Sequence, residues 1–234
     1  MGLLITFVLG LFIVAGALVA QHAKDHARIE HISVAVAAGA MAALVVLDLI
    51  PEALEELPDG KWFLLPVFLI IGILLLKLLD AFVPEHEGHG AAHIGIVSTI
   101  AIVLHNIIEG MAVYSMTGES ARVGALMALG VGLHNIPMGM MIGSTLQEDR
   151  HNRMVILLTM AAVSTFVGGV LMHFLWTHIG GMLIGALISM TLGMILYIEC
   201  FELVPHLLRA PDRRRSVIGA LAGIAVVAVS TLLG

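Results

Sequence analysis

The sequence predicts an all-α integral membrane protein: eight transmembrane helices in inverted-repeat organisation, with both termini outside. Three observations carry that class. The chain of 234 residues is 59% hydrophobic and only 12% charged, with a mean hydropathy of +1.05. A bilayer-spanning helix needs about 20 mostly apolar residues, so this length holds about eight of them with short loops and leaves no room for a sizeable water-soluble domain. Finally, the apolar runs near residues 2–20, 33–54, 62–82, 94–117, 121–146, 154–176, 179–207 and 216–234 are separated by short polar breaks, giving one transmembrane domain over residues 1–234.

The elements follow in chain order. The first run ends in ALVA before Gln21, which resembles a cleavage site, but no basic residue precedes Lys24, so the segment is expected to be retained. QHAKDHARIEH closes it, EELPDGK closes the second run, and PEHEGHGAAH, a histidine-bearing loop over residues 83–93, closes the third. GES and QEDRHNR close the fourth and fifth. The break near Thr177 to Gly180 is faint and is placed by length, because residues 154–207 are too many for one span. RAPDRRR then introduces the eighth.

Loop charge sets the orientation. Lys24, Arg28, Lys77, Arg150, Arg153, Arg209, Arg213, Arg214 and Arg215 fall on one side, and only Lys61 and Arg122 on the other, which makes the first side cytoplasmic. His22, His26, His31, His86, His89, His93, His151 and His206 lie on or near that side, His178 near the outer face, and His105, His134 and His173 within spans. The net charge of −6 offers no basic surface for a nucleic acid. A lone cysteine, Cys200, cannot close an intrachain disulfide.

Polar side chains inside a bilayer cost about 2.5–3.5 kcal/mol each at a helix centre, so each needs a reason. The fourth segment carries His105, Asn106 and Glu109 in LHNIIEGM, and the fifth carries His134, Asn135 and Met138 in LHNIPMGM. The two runs form an internal repeat on antiparallel helices, with both histidines near the midplane. Residues four apart share a helix face, so His105 converges with Glu109, and His134 with Met138. Mixed nitrogen and oxygen donors at one depth suit Zn²⁺ and its first-row neighbours. The alternative is a set of hydrogen bonds gluing helices together.

A second echo sets Asp48-Leu-Ile-Pro51-Glu52 beside Glu202-Leu-Val-Pro205-His206, on helices running in opposite directions. Such inverted repeats place a site midway with similar gates at either end. Asp48 and Glu52 would receive a cation from outside; Glu199, Glu202 and His206, expected on one helix side, would pass it inward. Interfacial groups reaching water are the alternative. Pro51, Pro137 and Pro205 each free a backbone carbonyl in these helices. The first- and third-loop histidines read either as transient metal acceptors or as a solvated polar loop. Enzyme readings fail on motif, since neither HExxH nor GxSxG occurs. The methionines lack the close spacing of a copper relay and read as apolar filler.

These residues resemble the ZIP family of metal-ion transporters, the Zrt/Irt-like proteins, and especially its compact prokaryotic branch. The likeness runs along the whole chain. It implies uptake of divalent zinc, iron or manganese into the cytoplasm, a binuclear centre between helices two, four, five and seven, an elevator-like or rocking movement, and homodimers. His105, Asn106 and Glu109 match the helix-four motif HNxPEG, with Ile108 replacing its proline. His134, Asn135 and Pro137 match the helix-five motif, with Met138 where the family usually has a metal-binding glutamate. Glu202 matches the helix-seven acid, Met41 a helix-two methionine ligand, and Asp48 and Glu52 the outer acidic entry.

With a neutral thioether at position 138, the expectation is one tightly held ion at His105, Glu109 and His134. Alternatively Met138 packs and Glu199 supplies the charge. The expected function is zinc uptake, with export or a channel as the nearer rival and an intramembrane metalloenzyme as the remoter one. No cofactor is required; the bound ion is cargo, and Zn²⁺ is unranked against Fe²⁺, Mn²⁺, Cd²⁺ and Co²⁺. The expected partners are the lipid bilayer and a second copy of the chain, in a plasma (inner) membrane.

Overall fold

A computed structural model describes residues 1–23, 25–83, 90–119, 121–146, 151–175, 180–210 and 212–233. Lys24, Glu85, His86, Glu87, His89, Arg150 and His178 lie outside them. Among the described residues every regular element is helical: α1 (Gly2–Gln21), α2 (His26–Leu44), α3 (Ile50–Glu56), α4 (Leu64–Asp80), α5 (Gly90–Glu119), α6 (Ala121–Thr145), α7 (His151–Leu175), α8 (Gly181–Ile198), α9 (Val204–Leu208) and α10 (Arg213–Leu233). Two π-helical turns, Val45–Leu49 and Glu199–Leu203, join α2 to α3 and α8 to α9. Seven of the resulting helices are long and apolar enough to cross a bilayer. The apolar α4 has 17 residues, at the short limit for a span.

Two stretches expected as loop are helix. His26 to His31 form the first turns of α2, because Asp25 caps them by accepting from the Arg28 backbone N–H at 3.1 Å. Replacing Asp25 with Ala should cost about 1 kcal/mol, the usual value of an N-cap; unchanged thermal melting in detergent would contradict that. Gly90 to His93 likewise open α5, so His93 sits on a helix. Between α3 and α4 the chain reverses at Pro58–Lys61, where the Lys61 N–H reaches the Pro58 carbonyl at 2.9 Å and Gly60 takes a φ of +76°.

The π turns occupy equivalent places in the two echoing motifs. The Ile50 N–H bonds the Val45 carbonyl, and the Val204 N–H bonds the Glu199 carbonyl, each one residue beyond the α-helical partner. The second residue after each turn is a proline, Pro51 or Pro205, which has no N–H to give the helix. The inverted repeat thus extends to backbone hydrogen bonding.

Burial separates the helices. The windows of α2–α3, α5, α6 and α8–α9 are 61% to 67% buried, against 22% to 39% for α1, α7 and α10. The buried ionisable groups within spans, His105, Glu109, His134 and Glu199, are carried by the first set, as the cost of exposing them to lipid requires. Packing divides the bundle differently. One group is α1, α5, α6 and α7; the other is α2–α3, α4, α8–α9 and α10. Within groups, glycines bring backbones into direct contact. A Cβ on Gly110 or Gly168 would overlap the Thr165 or Ile107 carbonyl oxygen of the α5–α7 pair. Gly39 and Gly223 do the same for α2–α10, and Gly72 and Gly193 for α4–α8. Between groups, α6 and α10 approach through Gly130, whose added Cβ would stand 3.0 Å from the Ser230 carbonyl oxygen.

Candidate metal site

Three side chains converge where α5 meets α6. His105, Glu109 and His134 are 2%, 8% and 2% exposed, so each has little contact with water. Glu109 Oε1 lies 3.4 Å from His105 Nε2 and 2.6 Å from His134 Nε2, and the two rings are 6.3 Å apart. Despite those separations neither ring nitrogen, nor either carboxylate oxygen of Glu109, has a hydrogen-bond partner of acceptable angle. Left so, each buried group costs about 1–3 kcal/mol. A divalent cation would satisfy all three, and two imidazoles with one carboxylate form a donor set proper to zinc. Those ligand atoms lie within 4.8 Å of one another.

The triad lines a cavity of about 480 Å³. Asp48 and Glu52 form its opposite wall, and it extends to the exposed Glu55 and Thr231. The triad belongs to the α1–α5–α6–α7 group and the two acids to the other, so the cavity lies between groups. It opens at the end of the bundle that carries both chain termini.

The remaining sequence candidates divide. Asn106 donates its Nδ2 to the Ala161 carbonyl of α7 at 3.2 Å, while its Oδ1 has no hydrogen-bond partner among the described residues. Asn135 is wholly buried, with both amide atoms unpartnered among the described residues. Neither asparagine lines the cavity, because each is rotated by one residue from its histidine. Met138 and Met41 are wholly buried in the apolar core and also stand off the cavity. Met138 lies one turn beyond His134, away from the mouth.

Glu199, Glu202 and His206 do not form one file, since the π turn over Glu199–Leu203 upsets the α-helical spacing that would align them. Glu199 is 7% exposed with an unpartnered Oε1. Glu202 joins a cluster with Asp80 and His93, in which His93 Nε2 is 2.9 Å from Asp80 Oδ1 and 3.9 Å from Glu202 Oε1. Tyr197 donates to Asp80 Oδ2 at 2.7 Å. His206 turns instead to Glu30 and His31. Asp80 escaped the sequence reading; a lone carboxylate in the last turn of the apolar α4 was its available signal.

A family model described as ZIP zinc transporter matches residues 84–231, more than half the chain, from the α4–α5 connection into α10. The chain belongs to the ZIP zinc-transporter family. Similar curated proteins agree in length as well as in sequence. The zinc transporter ZupT of Clostridium perfringens is 28% identical over 100% of this chain and 95% of its own. That of Corynebacterium aurimucosum is 26% identical over 94% and 91%, and that of Chlorobium chlorochromatii 27% identical over 98% and 96%. As a ZIP member the protein is a multi-pass membrane transporter of divalent metal ions, with zinc as substrate, and not an enzyme.

Proposed function

We propose that this ZIP member imports zinc into the cytoplasm across the plasma membrane, using His105, Glu109 and His134 as the transport site. The observation that carries the reading is one cavity that runs from the exposed Glu55 past Asp48 and Glu52 to the buried His–Glu–His triad. Glu52 and Asp48 lower the potential along the entry and concentrate cations there. Their neutralisation should therefore act on capture. Asp48→Asn with Glu52→Gln is expected to raise the KM for zinc entry several-fold while leaving the maximal rate within about twofold. A fall in maximal rate alone would contradict this.

One ion occupies the site. Met138 packs in the core, and neither asparagine faces the cavity, so three strong donors remain and water completes the shell. The eight spans include the short α4, and nine Lys and Arg against two place the termini outside, so the cavity faces outward.

Movement follows from the two groups. Backbone contacts through glycine bind each internally, while the ligand triad rides on one and the acids Asp48, Glu52 and Glu202 on the other. A shift of the first group along the second would carry the ion away from Asp48 and Glu52. At the opposite end His93, on α5, bridges to Asp80 and Glu202 across the same boundary and closes the inner side in this conformation. Iron, manganese, cadmium and cobalt remain candidate substrates, unranked against zinc by this donor set. Homodimer formation follows from the family resemblance.

The deciding experiment is zinc entry into proteoliposomes holding an indicator dye, for wild type and for His105→Ala with Glu109→Ala. Saturable entry abolished by the substitutions supports the reading. Entry that persists in a folded double variant overturns the site, and no entry by wild type overturns the import role.

A further inference from the structure

We propose that Glu30, His31 and His206 form a second transition-metal site, separate from the cavity, at the basic end of the bundle. Glu30 and His31 belong to the first turns of α2 and His206 to α9, so the site joins the start of one inverted-repeat helix to the end of the other. One nitrogen from each histidine and one carboxylate oxygen lie within 4.8 Å of one another. The rings are 5.2 Å apart and tilted by 34°.

The pair of His206 with Glu30 is an ion pair without a hydrogen bond. His206 Nε2 stands 3.6 Å from Glu30 Oε1, beyond the about 2.7–3.2 Å of a hydrogen bond. Both His31 Nδ1 and His206 Nε2 are buried without a hydrogen-bond partner among the described residues. A tetrahedral zinc ion with bonds of about 2.0–2.2 Å sets its ligands about 3.4 Å apart, so the separation of 3.6 Å fits two ligands of one ion better than a donor and its acceptor. Two imidazoles and one carboxylate favour Zn²⁺ over Mg²⁺ or Ca²⁺ and leave a fourth position for water.

Access is built in. His31 also lines a cavity of about 230 Å³ with Arg28, Asp212 and Arg215. Arg215 is paired with Asp212 at 2.9 Å, which neutralises one of the two cations beside the approach. The ion would tie the start of α2 to α9 on one side of the π turn, while Glu202 engages Asp80 and His93 on the other.

The test uses the full-length protein purified in detergent, with Co²⁺ as the spectroscopic probe. His206→Cys is expected to produce a thiolate-to-cobalt charge-transfer band in the near ultraviolet that is absent from wild type, where Cys200 is the only thiol. Adding His31→Ala should remove that band. A folded, monodisperse His206→Cys protein without the band overturns the proposal. Should that variant not fold, bound Co²⁺ after desalting decides: His31→Ala must hold one equivalent fewer than wild type, and equal content overturns the site. The readout is binding, so failure of zinc entry through the midplane triad leaves it intact.

Discussion

Glu109→Ala is expected to abolish zinc entry into proteoliposomes, with a loss above about 100-fold, since even residues that merely support a metal ligand cost about 10–100-fold when removed. Glu109 is the only carboxylate of the triad and the group both histidines approach. Its removal leaves two imidazoles and no counter-charge facing a divalent cation in a largely buried site, where an unbalanced charge is expensive. His105→Ala and His134→Ala should each lose less, because a carboxylate and one imidazole remain. Glu109→Gln separates charge from shape: it preserves volume, and an amide oxygen is a weak donor to zinc. Uptake by Glu109→Gln equal to wild type would contradict the central role of the charge. Equal uptake by Glu109→Ala, in protein of wild-type melting behaviour, would remove the triad from the transport path.

The triad was legible in the sequence for the same reason that its loss should be severe. A bilayer gives no solvation to His105, Glu109 or His134, so their recurrence at one depth in two adjacent apolar runs had to mean mutual contact or a ligand. The all-helical class was legible through run length alone. What the sequence did not disclose was rotation about helix axes. Hydropathy carries no mark of a π turn, so Glu199, Glu202 and His206 read as one file until the extra residue in the turn sent them to different neighbours. The four-residue rule placed Met138 beneath His134 correctly, yet could not show that the cavity ends a turn earlier. Asp80 and His93 meet because α4 and α5 pack at their polar ends, a tertiary fact with no local signal. The same holds for His31, whose polar surroundings resembled a loop because Asp25 was not recognised as a cap.

Gly168→Val is expected to be the most disruptive substitution outside the triad. Its Cβ would overlap the Ile107 carbonyl oxygen, and the reciprocal Gly110 already sits against the Thr165 carbonyl. Backbone cannot rotate away as a side chain can, so α5 and α7 must part, at a cost above the about 1–3 kcal/mol of ordinary overpacking. Ile107 and Gly110 flank Glu109 on α5, so the separation also displaces the ligand helix and breaks the Asn106 bond to Ala161. The expected result is little folded protein and no zinc entry. Gly118→Ala supplies the comparison, because among the described residues nothing lies within 4 Å of its Cβ, and it should melt and transport as wild type. Gly130→Ala tests the boundary between the two groups. Its Cβ would stand 3.0 Å from the Ser230 carbonyl oxygen, and Ser230 Oγ donates to the Gly130 carbonyl at 2.7 Å. A methyl group there stands at close contact and not in overlap, so the helices need part by only a few tenths of an ångström and folding should survive. If the groups slide past each other in each cycle, that methyl must cross the α10 backbone repeatedly, and turnover should fall several-fold at unchanged zinc affinity. Unchanged turnover in Gly130→Ala, beside collapse in Gly168→Val, would keep the glycine contacts as packing and place the moving boundary elsewhere.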